Sequence, residues 1–332
     1  MPLPKIDLHL HLDGSVLPET MWQLGTERHL SMPASDLASF RRFLAESADC
    51  RDVNTYLGRF ELPLRLMQDR DTLVRVTREL IGLLASQGLV YAEIRFAPQL
   101  HTRCGLSQRD AVEAVLEGRR QGLAENPGIG IGILLCAMSV GPAAVNMAEN
   151  LATVRLGAEY LGAGVAGIDL AGAEGLVPLR SFHPVFDLAR ERNVPFTCHA
   201  GDSQGPDTVR DALAFGARRI GHGHRIFDDP SLWPEAIRRG VTLEICPTSN
   251  IQCKTQPSYR EHPAKKLLDA GLRVTINTDN MTLAATDLDA EYRFCTGEMG
   301  FTAADLRTML RYSAEAAFLP EAEKSALLAR LA

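Results

Sequence analysis

Eight short apolar runs rich in Val and Ile recur along the chain: KIDLHL (5–10), VYAEIRF (90–96), GIGILLCA (130–137), VAGIDL (165–170), VPFTCH (194–199), RRIGH (218–222), VTLEIC (241–246) and RVTINT (273–278). Continuous runs of this kind suit parallel strands covered on both faces. Helix-like segments separate them. The segment 71–88 starts at Asp71, sets Leu73, Val76, Leu80, Leu83 and Leu84 on one stripe and stops at Gly88. Ser107 and Asp110 form a capping-box pattern ahead of Val112, Val115 and Leu116. The stretch 205–217 opens on Gly-Pro and closes on Gly216. Eight βα units predict an α/β chain folded as a (β/α)₈ TIM barrel rather than an open sheet. Such a barrel takes about 250 residues, and most of the excess in this chain of 332 falls between the first two runs. Helical pieces at 17–30, 35–48, 53–68 and 71–87 read as an insertion, 15–88, that caps the barrel mouth of a single domain, 1–332.

Composition removes several partners. Lys and Arg total 35 against 41 Asp and Glu, with no run that could track phosphates, which excludes nucleic acid. Residues 128–145 carry no charge, but Gly128, Gly130, Gly132, Ser139 and Pro142 predict a buried strand and a loop rather than a membrane span. Asp7 and His9 interrupt the region where a signal peptide would be apolar, so a cytoplasmic location is expected. Seven scattered cysteines without a CxxC pair predict reduced, mostly buried thiols. Oligomeric state has no signature in the sequence.

Polar residues gather at the strand ends. Strand side chains alternate faces, so Asp7, His9 and His11 share one face, the interior of a barrel, while Leu8, Leu10 and Leu12 share the other. An HxH pair alone is modest evidence, because strand-end histidines are often hydrogen-bonded core residues. The fifth run, however, ends at His199, the sixth at His222, and Asp279 follows the eighth. These are the carboxyl ends, where barrel enzymes keep their active sites. Three imidazoles and a carboxylate suit a divalent ion such as zinc with an open position for water, and hence a hydrolase. The fourth run offers no lysine that could be carboxylated to bridge two ions, so one metal per chain is the simpler reading.

The segments PKIDLHLHLDGS (4–15), VYAEIRFAPQLH (90–101), GIDLAGAE (167–174), CHAGD (198–202), RRIGHG (218–223), EICPTSN (244–250) and INTDN (276–280), in this order, resemble the adenosine deaminases across nearly the whole chain. The resemblance implies a zinc-dependent barrel that hydrolyses the amino group from C6 of a purine. It implies His9, His11, His199 and Asp279 as zinc ligands, His222 as the base that orients the attacking water, and Gly172 as a backbone donor to the purine ring. Asp13 matches the position that binds a ribose hydroxyl, whereas related adenine-type deaminases read LEG there, which favours a nucleoside substrate.

The chain departs from that pattern at four places. The family reads HAGE, its Glu protonating the purine N1; here the residue is Asp202, whose shorter arm displaces the carboxyl by about one C–C bond. On this ground Asp202→Glu is expected to restore reach and raise turnover. Asn280 stands where many members have a second aspartate; it can hydrogen-bond the water but not take its proton. Ala173 and His224 also differ, without an assignable role. The expected function is deamination of adenosine or deoxyadenosine to inosine or deoxyinosine and ammonia. The alternatives are deamination of another 6-aminopurine compound, or a purine-binding relative with little or no turnover because of Asp202. His29, His101, His183 and His262 read as capping, packing or solvent-facing residues, and Cys198 and Cys246 as small buried groups.

Overall fold

The computed structural model describes residues 4–331. Its strands are β1 (Lys5–His11), β2 (Leu89–Phe96), β3 (Gly130–Ser139), β4 (Val165–Gly172), β5 (His199–Ala200), β6 (Arg219–His222), β7 (Thr242–Ile245) and β8 (Arg273–Ile276). They form two parallel four-stranded runs, β1-β2-β3-β4 and β5-β6-β7-β8. Two short bridges join the runs into a barrel. Ile168 on β4 pairs with Phe196 ahead of β5, and Leu10 on β1 pairs with Asp279 beyond β8. The chain is therefore a (β/α)₈ barrel of the TIM class.

Strand lengths differ from the sequence expectation where a side chain replaces the ladder. The run 194–199 pairs continuously only at its end, because Pro195 has no N–H and offers its carbonyl to Ile168 at 2.9 Å. The run 273–278 stops at Ile276, since Asn277 Oδ1 takes up the Leu8 N–H at 2.9 Å and Thr278 donates its hydroxyl to Asp7 at 2.6 Å. Asp7 thus anchors the segment that carries Asp279.

Helices lie where the periodicity places them, with shifted ends. Arg70–Ser86 is capped by Asp69, not Asp71, and buries Leu73, Val76, Leu80 and Leu84 while Leu83 stays half-buried. The capping box of Ser107 and Asp110 opens Gln108–Glu125, and Gly216 ends Pro206–Phe215 in a left-handed turn. The expected helix 53–68 is three pieces, Val53–Leu57, Gly58–Phe60 and Glu61–Leu66. Residues 128–145 form β3 and a loop, and among the described residues no helix is long and apolar enough to cross a membrane.

The barrel interior beneath the strand ends is charged rather than aliphatic. Arg95 donates to Asp169 Oδ2 and Glu244 Oε2, both at 2.8 Å, and Arg219 donates to Glu244 Oε1 at 2.6 Å and to Glu93. All five side chains are 1% exposed or less. The cluster sets two guanidiniums against three carboxylates, and removing one partner of a buried ion pair costs about 3–5 kcal/mol. Arg219→Met, which strands Glu93, is expected to lower stability by about that amount in urea denaturation.

Candidate active site

The ends of β1, β5 and β8 bring the predicted metal ligands together. Ligand nitrogens of His9, His11 and His199 lie within 4.8 Å of one another. Asp279 Oδ1 is 3.5 Å from His9 Nε2 and 3.3 Å from His11 Nε2, and its other oxygen accepts from Ser249 Oγ at 2.6 Å. Backbone bonds hold this arrangement, because His11 N donates to the Asp279 carbonyl at 2.7 Å and Asp279 N to the His9 carbonyl at 2.8 Å. Asp279 and His222 both sit at left-handed backbone angles, φ 61° and 58°, a region uncommon for residues other than glycine.

The donor set fits a cation. His9 Nε2 is buried without a hydrogen-bond partner among the described residues, while its Nδ1 is 2.9 Å from Glu244 Oε2. His199 Nδ1 similarly lies 2.9 Å from Asp169 Oδ2. A carboxylate behind each imidazole is how metal-binding histidines have their ring orientation fixed. Burial, reinforced by Arg95 and His199, lowers His9 to about 4, and burial carries His11 well below its ordinary value. Both rings are thereby biased toward the neutral form that ligation requires, whereas the Asp169 carboxylate outweighs burial and raises His199. Cys246 also reaches His9 and His222 within 4.8 Å, but burial raises its thiol well above the usual range, which keeps it protonated and a poor ligand.

The proposed acid and base share one amide. Asn250 Nδ2 donates to Asp202 Oδ1 at 2.8 Å and lies 3.1 Å from His222 Nδ1. Burial raises Asp202 above the usual carboxylate value although His222 opposes the shift. Asn280 is buried, and its Oδ1 has no partner among the described residues. Asp13, Gly172 and His11 line a cavity of about 240 Å³ whose apolar wall includes Leu57, Phe60 and Leu64 from the helical segments between β1 and β2. Burial raises Asp13 to about 6, and one of its oxygens takes up the Gly14 N–H at 3.1 Å. Gly172 has φ 105°, and a Cβ there would stand 2.5 Å from the Ser139 carbonyl, so only glycine fits. Ala173 lines the same cavity. A larger cleft, about 760 Å³, includes the start of β4 and none of these residues.

Several histidines and one carboxylate were not legible from spacing. His224 is fully buried, and neither ring nitrogen makes a hydrogen bond of good geometry among the described residues. His262 is buried against Asn250, whereas His29 and His183 are exposed and His101 bonds the Met67 carbonyl. All seven cysteines are free, and only Cys104 is exposed. Glu174, the last residue of GIDLAGAE, accepts from the backbone N–H groups of Gly201, Asp202, Ser203 and Gln204 and from the Thr208 hydroxyl. It thereby fixes the loop that carries Asp202. Glu174→Ala is expected to speed amide hydrogen exchange at residues 201–204 by roughly tenfold or more while leaving the barrel strands protected. Unchanged exchange there would show that the loop is held by other means.

The family model described as adenosine deaminase matches residues 4–332. A relative from Haemophilus ducreyi named adenosine deaminase is 43% identical over 98% of this chain and 95% of its own. An N6-methyl-AMP deaminase structure from Arabidopsis thaliana superposes with a TM-score of 0.84 at 27% identity, covering 99% of this chain and 96% of that one. An amidohydrolase from Burkholderia ambifaria with bound Zn superposes with a TM-score of 0.87 at 25% identity, covering 99% of this chain and 89% of that one. With a strand-end histidine cluster, a barrel and a match over nearly every residue, the chain is an aminohydrolase that belongs to the adenosine deaminase family.

Proposed function

We propose that this protein hydrolyses adenosine or deoxyadenosine to inosine or deoxyinosine and ammonia, with one zinc ion per chain. The observation that carries the reading is that Asp202 and His222 share Asn250 directly beside the cluster of His9, His11, His199 and Asp279. Bound zinc would supply Lewis acidity and lower the pKa of a water toward neutrality. The donor set of three imidazoles and one carboxylate supports zinc, as does the Zn found in the Burkholderia ambifaria relative. Within the chain, His222 accepts the proton of the attacking water, and Asn280 hydrogen-bonds that water. Asp202, which burial biases toward its protonated form, delivers a proton to the purine N1. Gly172 offers its backbone to the purine ring and Asp13 holds a ribose hydroxyl. Leu57, Phe60 and Leu64 exclude bulk water, which strengthens each of these electrostatic contacts.

A second substrate reading comes from the Arabidopsis relative, whose name specifies a nucleoside monophosphate. The cavity disfavours it here, because no Lys or Arg is among the residues that line it.

Metal analysis of purified protein is expected to give one first-row divalent ion per chain, lost in the His9→Ala, His199→Ala double variant. Protein that never carries metal, or a double variant that keeps it, refutes the proposed ligand set. Asp13→Ala is expected to raise KM for adenosine by about tenfold to a hundredfold, the worth of a hydrogen bond to a charged group. Its effect on adenine, which has no ribose, should be small. Equal losses on both substrates would make Asp13 a structural residue.

A further inference from the structure

We propose that Asn250, Thr255 and His224 form a cage fitted to an aspartate at position 202, which fixes one carboxyl oxygen as the acceptor and leaves the other to carry the transferable proton. This rests on the assignment of Asp202 as the proton donor, and it makes Asn250, Thr255 and His224 positioning residues.

Asp202 Oδ1 accepts two hydrogen bonds, from Asn250 Nδ2 at 2.8 Å and from Thr255 Oγ1 at 3.0 Å. Oδ2 has no protein partner among the described residues. An oxygen that already receives two N–H or O–H bonds is a poor place for a further proton. The proton of the neutral acid therefore resides on Oδ2. Both donors are themselves held: Asn250 is fully buried, its Oδ1 is 3.2 Å from His262 Nε2, and its carbonyl accepts from the backbone N–H groups of Thr255 and Gln256. The Thr255 hydroxyl also lies 3.2 Å from that carbonyl.

His224 closes the cage. Its Nδ1 is 4.0 Å from Asp202 Oδ1, and its ring is 5.5 Å from that of His262. The ring is fully buried, neither nitrogen makes a hydrogen bond of good geometry among the described residues, and the backbone group acting on it is that of Thr255. Buried polar groups without partners are rare in native proteins and call for a reason. Here the imidazole occupies space next to the short carboxyl. One added methylene would move the carboxyl by about 1.5 Å, off both donors and toward His222, 3.8 Å away, or His224. The sequence-based expectation for Asp202→Glu is thereby reversed: the cage makes the longer acid the worse fit. The other ionisable groups that act on Asp202 are Glu174 and Asp279, which raise its pKa, and His222, which lowers it.

The experiment has two arms on metal-loaded protein. In the first, the Asp202 carboxyl is titrated by carbon-13 NMR with labelled aspartate and assigned by its loss in Asp202→Asn. Thr255→Val removes a donor to the carboxylate and should raise the titration midpoint by about one unit; Thr255→Ser should restore it. A midpoint unchanged in Thr255→Val overturns the cage whether or not the protein turns over adenosine. In the second, Asp202→Glu should lower kcat/KM for adenosine at least about tenfold, and adding His224→Ala should recover part of that loss by opening room. An Asp202→Glu variant as fast as wild type, or faster, overturns the proposal. Metal-loaded wild type that releases no ammonia from adenosine instead overturns the substrate reading, and the titration still decides the cage.

Discussion

Glu244 joins the fold to the site through four contacts. One oxygen accepts from Arg219 Nε at 2.6 Å and Thr197 Oγ1 at 2.9 Å; the other faces His9 Nδ1 at 2.9 Å and Arg95 Nη2 at 2.8 Å. Burial alone would drive this carboxyl toward its neutral form, but the two guanidiniums and His9 outweigh it and hold Glu244 well below the ordinary range. A permanent anion therefore sits at the centre of the barrel. It orients the His9 ring and holds two arginines whose other ends reach Asp169, Glu93 and the Leu8 carbonyl. Because desolvated charges lose so much when a partner is missing, the positions of strands β1, β2, β4, β6 and β7 are coupled through one side chain.

The consequence is a site assembled on rigid elements. His9, His11, His199 and Asp279 project from strand ends whose backbones are paired. The carboxylates behind His9 and His199 belong to the charged layer itself. A site built this way is held to the tolerances that chemistry requires, since a displacement near 1 Å can cost about a hundredfold in rate. Asp202 is the exception, for it lies on a loop. The loop is fixed by Glu174, and the carboxyl by Asn250 and Thr255.

Much of this is legible in the sequence. Continuous apolar runs marked the strands, since a strand covered on both faces needs apolar residues at nearly every position. The two-residue period placed His9 and His11 on one face with Asp7, and the ends of the runs placed His199, His222 and Asp279 at one mouth. The differences are local: β5 and β8 are shorter because Pro195 and Asn277 divert the ladder, and the helix expected over 53–68 breaks at the tighter turn Gly58–Phe60.

What the sequence determined by itself was therefore the barrel, the presence of helices between its first two strands and the residue types gathered at its mouth, because these follow from periodicity over a few neighbouring positions. Only the tertiary structure decided which polar residues support which. Arg95 meets Glu244 across 149 positions, and Asn250 meets Asp202 across 48. Such pairings leave no periodic trace, since they depend on strand order and loop direction rather than on spacing along the chain. The same reason explains why Asp202 reads as a shortened arm in the sequence. In the fold, its donors stand where that shorter arm ends.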